Sequence, residues 1–369
     1  MSISKRIKVF QFGFLLVANL MFSCQKEAVE PVGPKDNIAY VLEVPANFPQ
    51  PAATPDNPLT KAGVELGRRL FYEPLLSSTM TVSCASCHHQ DRAFSDGLIL
   101  SNLGISGKAL DRHSPALFNL AWANNGLFWD GGSKNLESQA FGPLTHEDEM
   151  GIYFPEMVDR LMAKPSYVSL FKEAFGENPT AAGVVKALAQ FQRTIISANS
   201  KYDRYKRGDR KVSFSEKELL GMQLVQAKCA GCHSSELFTD NNYHNNGIDT
   251  DFSDDSKDWV YKGRYRISYD SKDLGAYKTP SLRNIMVSAP YMHDGRFSTI
   301  DEVLQHYRFG IKSTKYTDRL LFQDNGNAGI PLSDKEVEAV KAFLTSLTDE
   351  TLLSEAKYAN TKLDIKGIK

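Results

Sequence analysis

Apolar residues recur at helical spacing along several stretches of this chain. Lys61–Tyr72 carries Val64, Leu66, Leu70 and Phe71 on one side, and the period returns over Pro155–Phe175 and Thr180–Ser197, where Val184, Leu188, Phe191 and Ile195 mark one face. Ser215–Ala227 and Ser333–Leu347 complete the set, the last opened by Ser333 and Glu336 at the spacing of a capping box. Strand-like alternation is sparse, so the chain reads as mainly α. The charged stretch 200–211 divides the pattern into two parts, 58–205 and 206–350, followed by a tail over 351–369. Residues 25–57 are rich in proline and read as an extended tether.

The first 24 residues change this picture. Lys5, Arg6 and Lys8 precede a run from Val9 to Phe22 that is apolar except for Gln11 and Asn19. A membrane span needs about 20 consecutive apolar residues, so the run reads as a signal peptide. It ends in Met21-Phe22-Ser23-Cys24, which resembles a bacterial lipobox. The expectation is export to the periplasmic side, with Cys24 lipidated and anchored to a membrane. Over the whole chain 43 Lys and Arg oppose 44 Asp and Glu, and without the leader the balance is 40 against 44. That balance offers no basic field for a polyanion, so nucleic acid is not a partner. With 42% hydrophobic and 11% aromatic residues, the chain can bury a large core or two.

Cysteine placement carries the chemistry. Apart from Cys24, the cysteines form two pairs, Cys84-Ala85-Ser86-Cys87-His88 and Cys229-Ala230-Gly231-Cys232-His233. Both match Cys-x-x-Cys-His, the signature of c-type haem attachment. Two thiols three residues apart reach the two vinyl groups of one porphyrin, and the next imidazole turns to the iron. A zinc ribbon would need the distant pairs to converge on one ion, and a thioredoxin-like pair would need a βαβ context that is not found. His88 and His233 are therefore read as proximal ligands of two covalently bound c-type haems. A helix precedes each motif and another closes each part. The expected fold is mainly α, with two cytochrome c-like haem domains packed face to face and few short strands.

Four segments then carry a family resemblance: Leu66-Gly67-Arg68-Arg69-Leu70-Phe71 with Leu75-Leu76-Ser77; the first haem motif with Arg92-Ala93-Phe94-Ser95-Asp96-Gly97; Phe128-Trp129-Asp130-Gly131; and Thr279-Pro280-Ser281-Leu282-Arg283-Asn284 with Tyr291-Met292-His293-Asp294-Gly295-Arg296-Phe297. Together they make the chain resemble the bacterial di-haem cytochrome c peroxidases and their methylamine-utilisation relatives. The resemblance implies reduction of hydrogen peroxide to water with electrons from a small cytochrome or copper protein. It implies that the haem on His88 is peroxidatic and that the haem on His233 handles electron transfer. Glu149 would move a proton between the peroxide oxygens, Gln139 and Pro143 would line that pocket, and Trp129 would lie between the haems. Arg283 is a candidate partner of a haem propionate, since buried anions attract a forked cation.

Two departures set the subtype. The loop that carries a capping histidine in well-studied relatives, residues 99–110 here, has none, so the first haem is expected to be five-coordinate or water-bound without reductive activation. His113 stands where the family has an asparagine that helps bind calcium. If calcium binds, the carbonyls near Lys278 and Pro280 are the remaining ligands. Tyr307 occupies the position of the usual distal methionine of the second haem, as in the methylamine-utilisation relatives, with His306, Met286 and Met292 as competing ligands. A phenolate favours higher iron oxidation states, where methionine raises the potential. Two other functions stay open: a peroxide-dependent oxidase acting on a protein side chain or other substrate, and a non-catalytic di-haem electron carrier. A homodimer is also left open.

Overall fold

The computed structural model describes residues 38–360. The leader, Cys24 and the start of the tether lie outside the described residues. Twelve α-helices form the frame among the described residues: α1 (Lys61–Phe71), α2 (Leu136–Gln139), α3 (Phe141–Thr145), α4 (Phe154–Met162), α5 (Pro165–Phe175), α6 (Ala181–Thr194), α7 (Lys201–Lys206), α8 (Glu216–Lys228), α9 (Tyr265–Ser268), α10 (Ile300–Gln305), α11 (Asp334–Ser346) and α12 (Glu350–Ser354). A single π-helical turn, His306–Gly310, continues α10. The strands β1 (Tyr243–His244) and β2 (Tyr277–Lys278) pair antiparallel, with Tyr243 opposite Lys278.

Local chemistry explains the helix limits. Thr60 caps α1 by accepting the Gly63 amide, and Ser215 with Glu218 and Ser333 with Glu336 form capping boxes on α8 and α11. The helix expected over 155–175 is two helices, because Pro165 excludes the helical conformation at Lys164, which lies at φ −111° and ψ 103°.

Packing repeats itself along the chain. α1 lies on α6 at Gly67, where a β-carbon would collide with the Ala187 carbonyl and press on Phe191. α8 lies on α11 at Gly221 in the same way, against the Ala339 carbonyl and Phe343. In both pairs the helix that precedes an attachment motif is drawn to backbone contact by a glycine. Two apolar clusters result. The first gathers Leu66, Leu70, Phe71, Phe94, Phe171 and Phe191, and the second Leu224, Phe238, Leu304, Val340 and Phe343.

The tether and the tail depart from expectation. Phe48 packs edge-on against Trp122 with ring centroids 5.2 Å apart, and the Trp122 indole N–H donates to the Pro49 carbonyl at 2.7 Å. At the other end, Leu352 and Tyr358 sit in the first apolar cluster, and the Tyr358 hydroxyl donates to the Thr194 carbonyl at 3.0 Å. Burial of two such side chains contributes about 3–6 kcal/mol. That is enough to hold residues 350–358 on the first part of the chain instead of leaving them as a tail.

Candidate functional site

Each attachment motif sits on a tight turn. The His88 amide donates to the Cys84 carbonyl at 3.0 Å, and the His233 amide to the Cys229 carbonyl at 2.9 Å. At the second motif Cys229, Cys232 and His233 all line one cavity. Burial pushes the Cys84 thiol up to about 12 and Cys229 up to about 11.

The two imidazoles are held alike. His88 Nδ1 lies 2.7 Å from the Phe94 carbonyl and His233 Nδ1 lies 3.3 Å from the Phe238 carbonyl. A carbonyl can only accept, so Nδ1 carries the proton and Nε2 keeps its lone pair for iron. Burial lowers the pKa of both rings, which keeps them neutral. Phe94 and Phe238 both adopt positive φ, 61° and 53°, to aim these carbonyls. Their role as carbonyl acceptors is not visible from residue type. Their signal was a repeated triplet downstream of each motif, Phe94-Ser95-Asp96 and Phe238-Thr239-Asp240.

A cavity of about 500 Å³ opens beside the second motif, lined by Cys229, Cys232, His233, Leu237, Leu282, Leu304, Tyr307 and Leu344 among others. Two thiols and an available imidazole on an apolar wall, with a phenol also on the lining, fit a covalently held haem. The competing distal ligands separate here. Tyr307 lines the cavity, whereas His306 is turned away, its Nε2 3.0 Å from the Asn246 carbonyl. Met292 also reaches the lining, but its sulfur accepts the Asn246 amide at 3.3 Å, and Met286 packs on the second apolar cluster. Burial pushes the Tyr307 phenol up to about 12, so it ionises near neutrality only beside a strong cation.

The repeated architecture extends to the distal sides. Phe128-Trp129-Asp130-Gly131 and Met292-His293-Asp294-Gly295 share positive φ at their first and last residues, 63° and 75° in one and 72° and 67° in the other. The bridges Leu127–Ser133 and Tyr291–Phe297 close both turns, and capping boxes at Asn135 and Thr299 start α2 and α10. Continuing in step, α3 stands for the π-turn, and Pro143 takes the place of Tyr307. Proline has no side-chain atom that can ligate iron. The sequence repeat therefore sets a phenol, which can ligate iron, opposite a proline, which cannot.

Glu149 follows α3 in a turn whose amide donates to the His146 carbonyl at 3.0 Å. The residue is half-buried, and burial raises its pKa while the nearby His146 lowers it. Its charge is felt at both Cys84 and Cys87, which places the carboxylate near the first motif. The loop 99–110 is strapped onto this turn. The Ile105 amide donates to the Glu149 carbonyl at 2.8 Å, and a β-carbon at Gly104 would collide with the Asp148 carbonyl. Gln139 and Trp129 line the cavity that also holds Tyr307, while Glu149 and Pro143 lie outside its walls. The Trp129 indole N–H donates to the His113 carbonyl at 2.8 Å.

Arg283 is not free for a propionate. Its guanidinium pairs with both oxygens of Asp203 at 2.8 Å and donates twice to the Glu236 carbonyl, and both side chains are fully buried. Calcium does not fit either. The His113 ring is engaged by the Leu98 carbonyl at 2.9 Å and the Ser95 hydroxyl at 3.3 Å, and the Pro280 carbonyl faces His233. The Lys278 ammonium occupies nearby oxygens itself, donating to the Asn125 carbonyl at 3.0 Å and the Asn241 carbonyl at 2.8 Å. A hard cation needs about six to eight oxygen ligands, and it would meet this ammonium instead. His244 is clamped between Asp318 at 2.6 Å and Asp240 at 2.9 Å.

Comparison with known proteins fits this geometry. A model of the di-haem cytochrome c peroxidase family matches residues 61–211. Methylamine utilization protein MauG of Methylorubrum extorquens is 37% identical over 309 residues, covering 83% of each chain. Cytochrome-c peroxidase IdrP1 of a Pseudomonas species is 32% identical, covering 84% of this chain and 87% of the relative. Among solved structures, a MauG-like protein associated with microbial copper homeostasis superposes with a TM-score of 0.76 at 33% identity, over 87% of this chain and 99% of that one.

Proposed function

The chain belongs to the di-haem cytochrome c peroxidase family, and from that premise we propose that it reduces hydrogen peroxide to water with electrons taken singly from a small cytochrome or cupredoxin. The observation that carries this reading is the unequal pair of distal positions, Tyr307 at one site and Pro143 at the other. When bound, the haems supply iron that exchanges single electrons and cleaves the O–O bond. The remaining work falls to side chains. His88 and His233 present Nε2, fixed by the Phe94 and Phe238 carbonyls. Glu149 takes a proton from one oxygen of the peroxide and returns it to the other, so that the departing oxygen leaves as water. Its burial-raised pKa suits a group that must both accept and donate. Pro143 leaves space for the peroxide, and Trp129 on the cavity wall lies on the route between the two sites.

The two halves, 58–205 and 206–350, each carry one haem and face each other. The duplicated helix pairs and turns support that arrangement. Export and a lipid on Cys24 belong to the same proposal, supported by the leader's basic start, apolar run and terminal Ser23-Cys24. A second reading, oxidation of a protein side chain with peroxide as oxidant, is favoured by Tyr307 at the distal position. Steady-state assay with peroxide and a reduced cytochrome tests the first reading. Glu149→Gln should lower turnover by about 10²–10⁴-fold with both haem spectra unchanged. An unaltered rate would remove Glu149 from the proton path.

A further inference from the structure

The chain between the π-turn and α11 leaves the second apolar cluster and returns to it, and it covers the second attachment motif on its solvent side. The Ile330 amide donates to the Tyr307 carbonyl at 2.7 Å and the Gly329 amide to the Leu321 carbonyl at 2.9 Å, so residues 307–330 form one closed excursion. At its surface Phe309 is 73% exposed and Leu320 is 55% exposed, although both are large and apolar. Leu320 also lines the cavity, and a β-carbon at Gly231, between the two haem-bearing cysteines, would lie 3.2 Å from its Cδ1. Leu320 thus touches the second motif at Gly231, which is itself exposed.

Charge on this excursion is mostly basic, with Asp324 as its one exposed carboxylate. Lys312, Lys315 and Arg319 are exposed, and none makes an ion pair among the described residues. Of the excursion's two carboxylates, Asp318 is turned to His244 and Asp324 sits on the turn closed by Gln323 and Asn327. The chain as a whole carries a formal charge of −1, so the basic excess is a local feature. Exposed apolar side chains on one segment with unpaired cations suit a transient protein interface steered by charge.

We propose that the surface formed by Phe309, Lys312, Lys315, Arg319 and Leu320 is the docking site of a small acidic electron-carrier protein, which delivers electrons through Leu320 and Gly231 to the second haem. The proposal rests on the peroxidase reading. Each docked carrier is oxidised by one electron, and two such electrons with two protons from solvent convert one hydrogen peroxide into two waters.

The test compares the native holoenzyme with the triple variant Lys312→Glu, Lys315→Glu, Arg319→Glu in peroxide turnover. Three donors are used: a reduced acidic cupredoxin, a reduced basic c-type cytochrome, and guaiacol, which is small and uncharged. For the acidic donor the variant should lower kcat/KM about tenfold or more at low salt, with the gap closing near 1 M salt, where the Debye length is about 3 Å. The basic donor should gain, and guaiacol oxidation should stay the same. An acidic donor unaffected by the variant and by salt, or a native enzyme that prefers the basic donor, overturns the docking site while guaiacol turnover leaves the peroxidase reading intact. A native enzyme that shows no peroxide-dependent oxidation of guaiacol or of either protein donor overturns the peroxidase reading, and the docking site falls with it.

Discussion

Replacing Asp203 by asparagine should destabilise the protein by about 3–5 kcal/mol, the usual effect of leaving a buried charge without its partner. Asp203 and Arg283 are both fully buried, and the carboxylate meets two guanidinium nitrogens at 2.8 Å. Asparagine keeps the shape and one acceptor for the Ser200 cap of α7, but it points an N–H at the guanidinium. The Arg283 charge then faces Phe48 at 4.9 Å, Phe238 at 5.6 Å and the Glu236 carbonyl with no counter-ion. With a urea slope of about 3 kcal/mol per molar, the midpoint should fall by about 1–2 M. Urea unfolding of the holoprotein, followed by far-ultraviolet circular dichroism, measures the shift. The double variant Asp203→Leu, Arg283→Met should recover most of the loss, because two apolar groups replace a pair that needs matching. A loss below about 1 kcal/mol for Asp203→Asn, together with a shifted second-haem potential in Arg283→Met, would refute the pairing and restore the propionate role.

Other outcomes follow from the same structure. Tyr307→Phe should change the ligand-field spectrum of the second haem, and His306→Ala should leave it unchanged; the opposite pair of results would exchange their roles. Chelation with EGTA should alter neither the melting temperature nor the haem spectra, whereas Lys278→Met should lower the melting temperature by removing the ammonium from the Asn125 and Asn241 carbonyls. The carboxylates of Asp318 and Asp240, both hydrogen-bonded to the ring, raise the pKa of His244 above its ordinary value. Its folded value therefore lies above the unfolded one, and its contribution is complete below about pH 6.5 and is lost as pH rises through the folded value. The stability gap between the native protein and His244→Asn should narrow across that window in urea titrations, and a gap that widens with pH would contradict the clamp.

Local signals carried much of the fold. The attachment motifs, α1, α8 and α11 were legible because period, caps and cysteine spacing are short-range properties. The single helix expected over 155–175 missed the veto of Pro165, which was itself visible. Other features depend on distant residues. Arg283 meets Asp203 across 80 positions, and Tyr358 meets Thr194 across 164, so neither partner has a local signature. Asp203 looked like one charge in a solvated stretch. The choice between Tyr307 and His306 rested on which side chain turns inward, and that depends on a π-turn that amphipathic periodicity does not register. The match of Pro143 with Tyr307 was present in the sequence as an internal repeat, but it becomes plain only when the bridges and positive-φ residues are aligned.

The central claim is that one iron site is open beside Pro143 and the other is closed by Tyr307. Electron paramagnetic resonance of the oxidised holoprotein tests it most directly. The account predicts high-spin and low-spin ferric signals in equal amounts, with the low-spin signal altered in Tyr307→Phe and the high-spin signal retained. Two low-spin haems in the oxidised protein would contradict it.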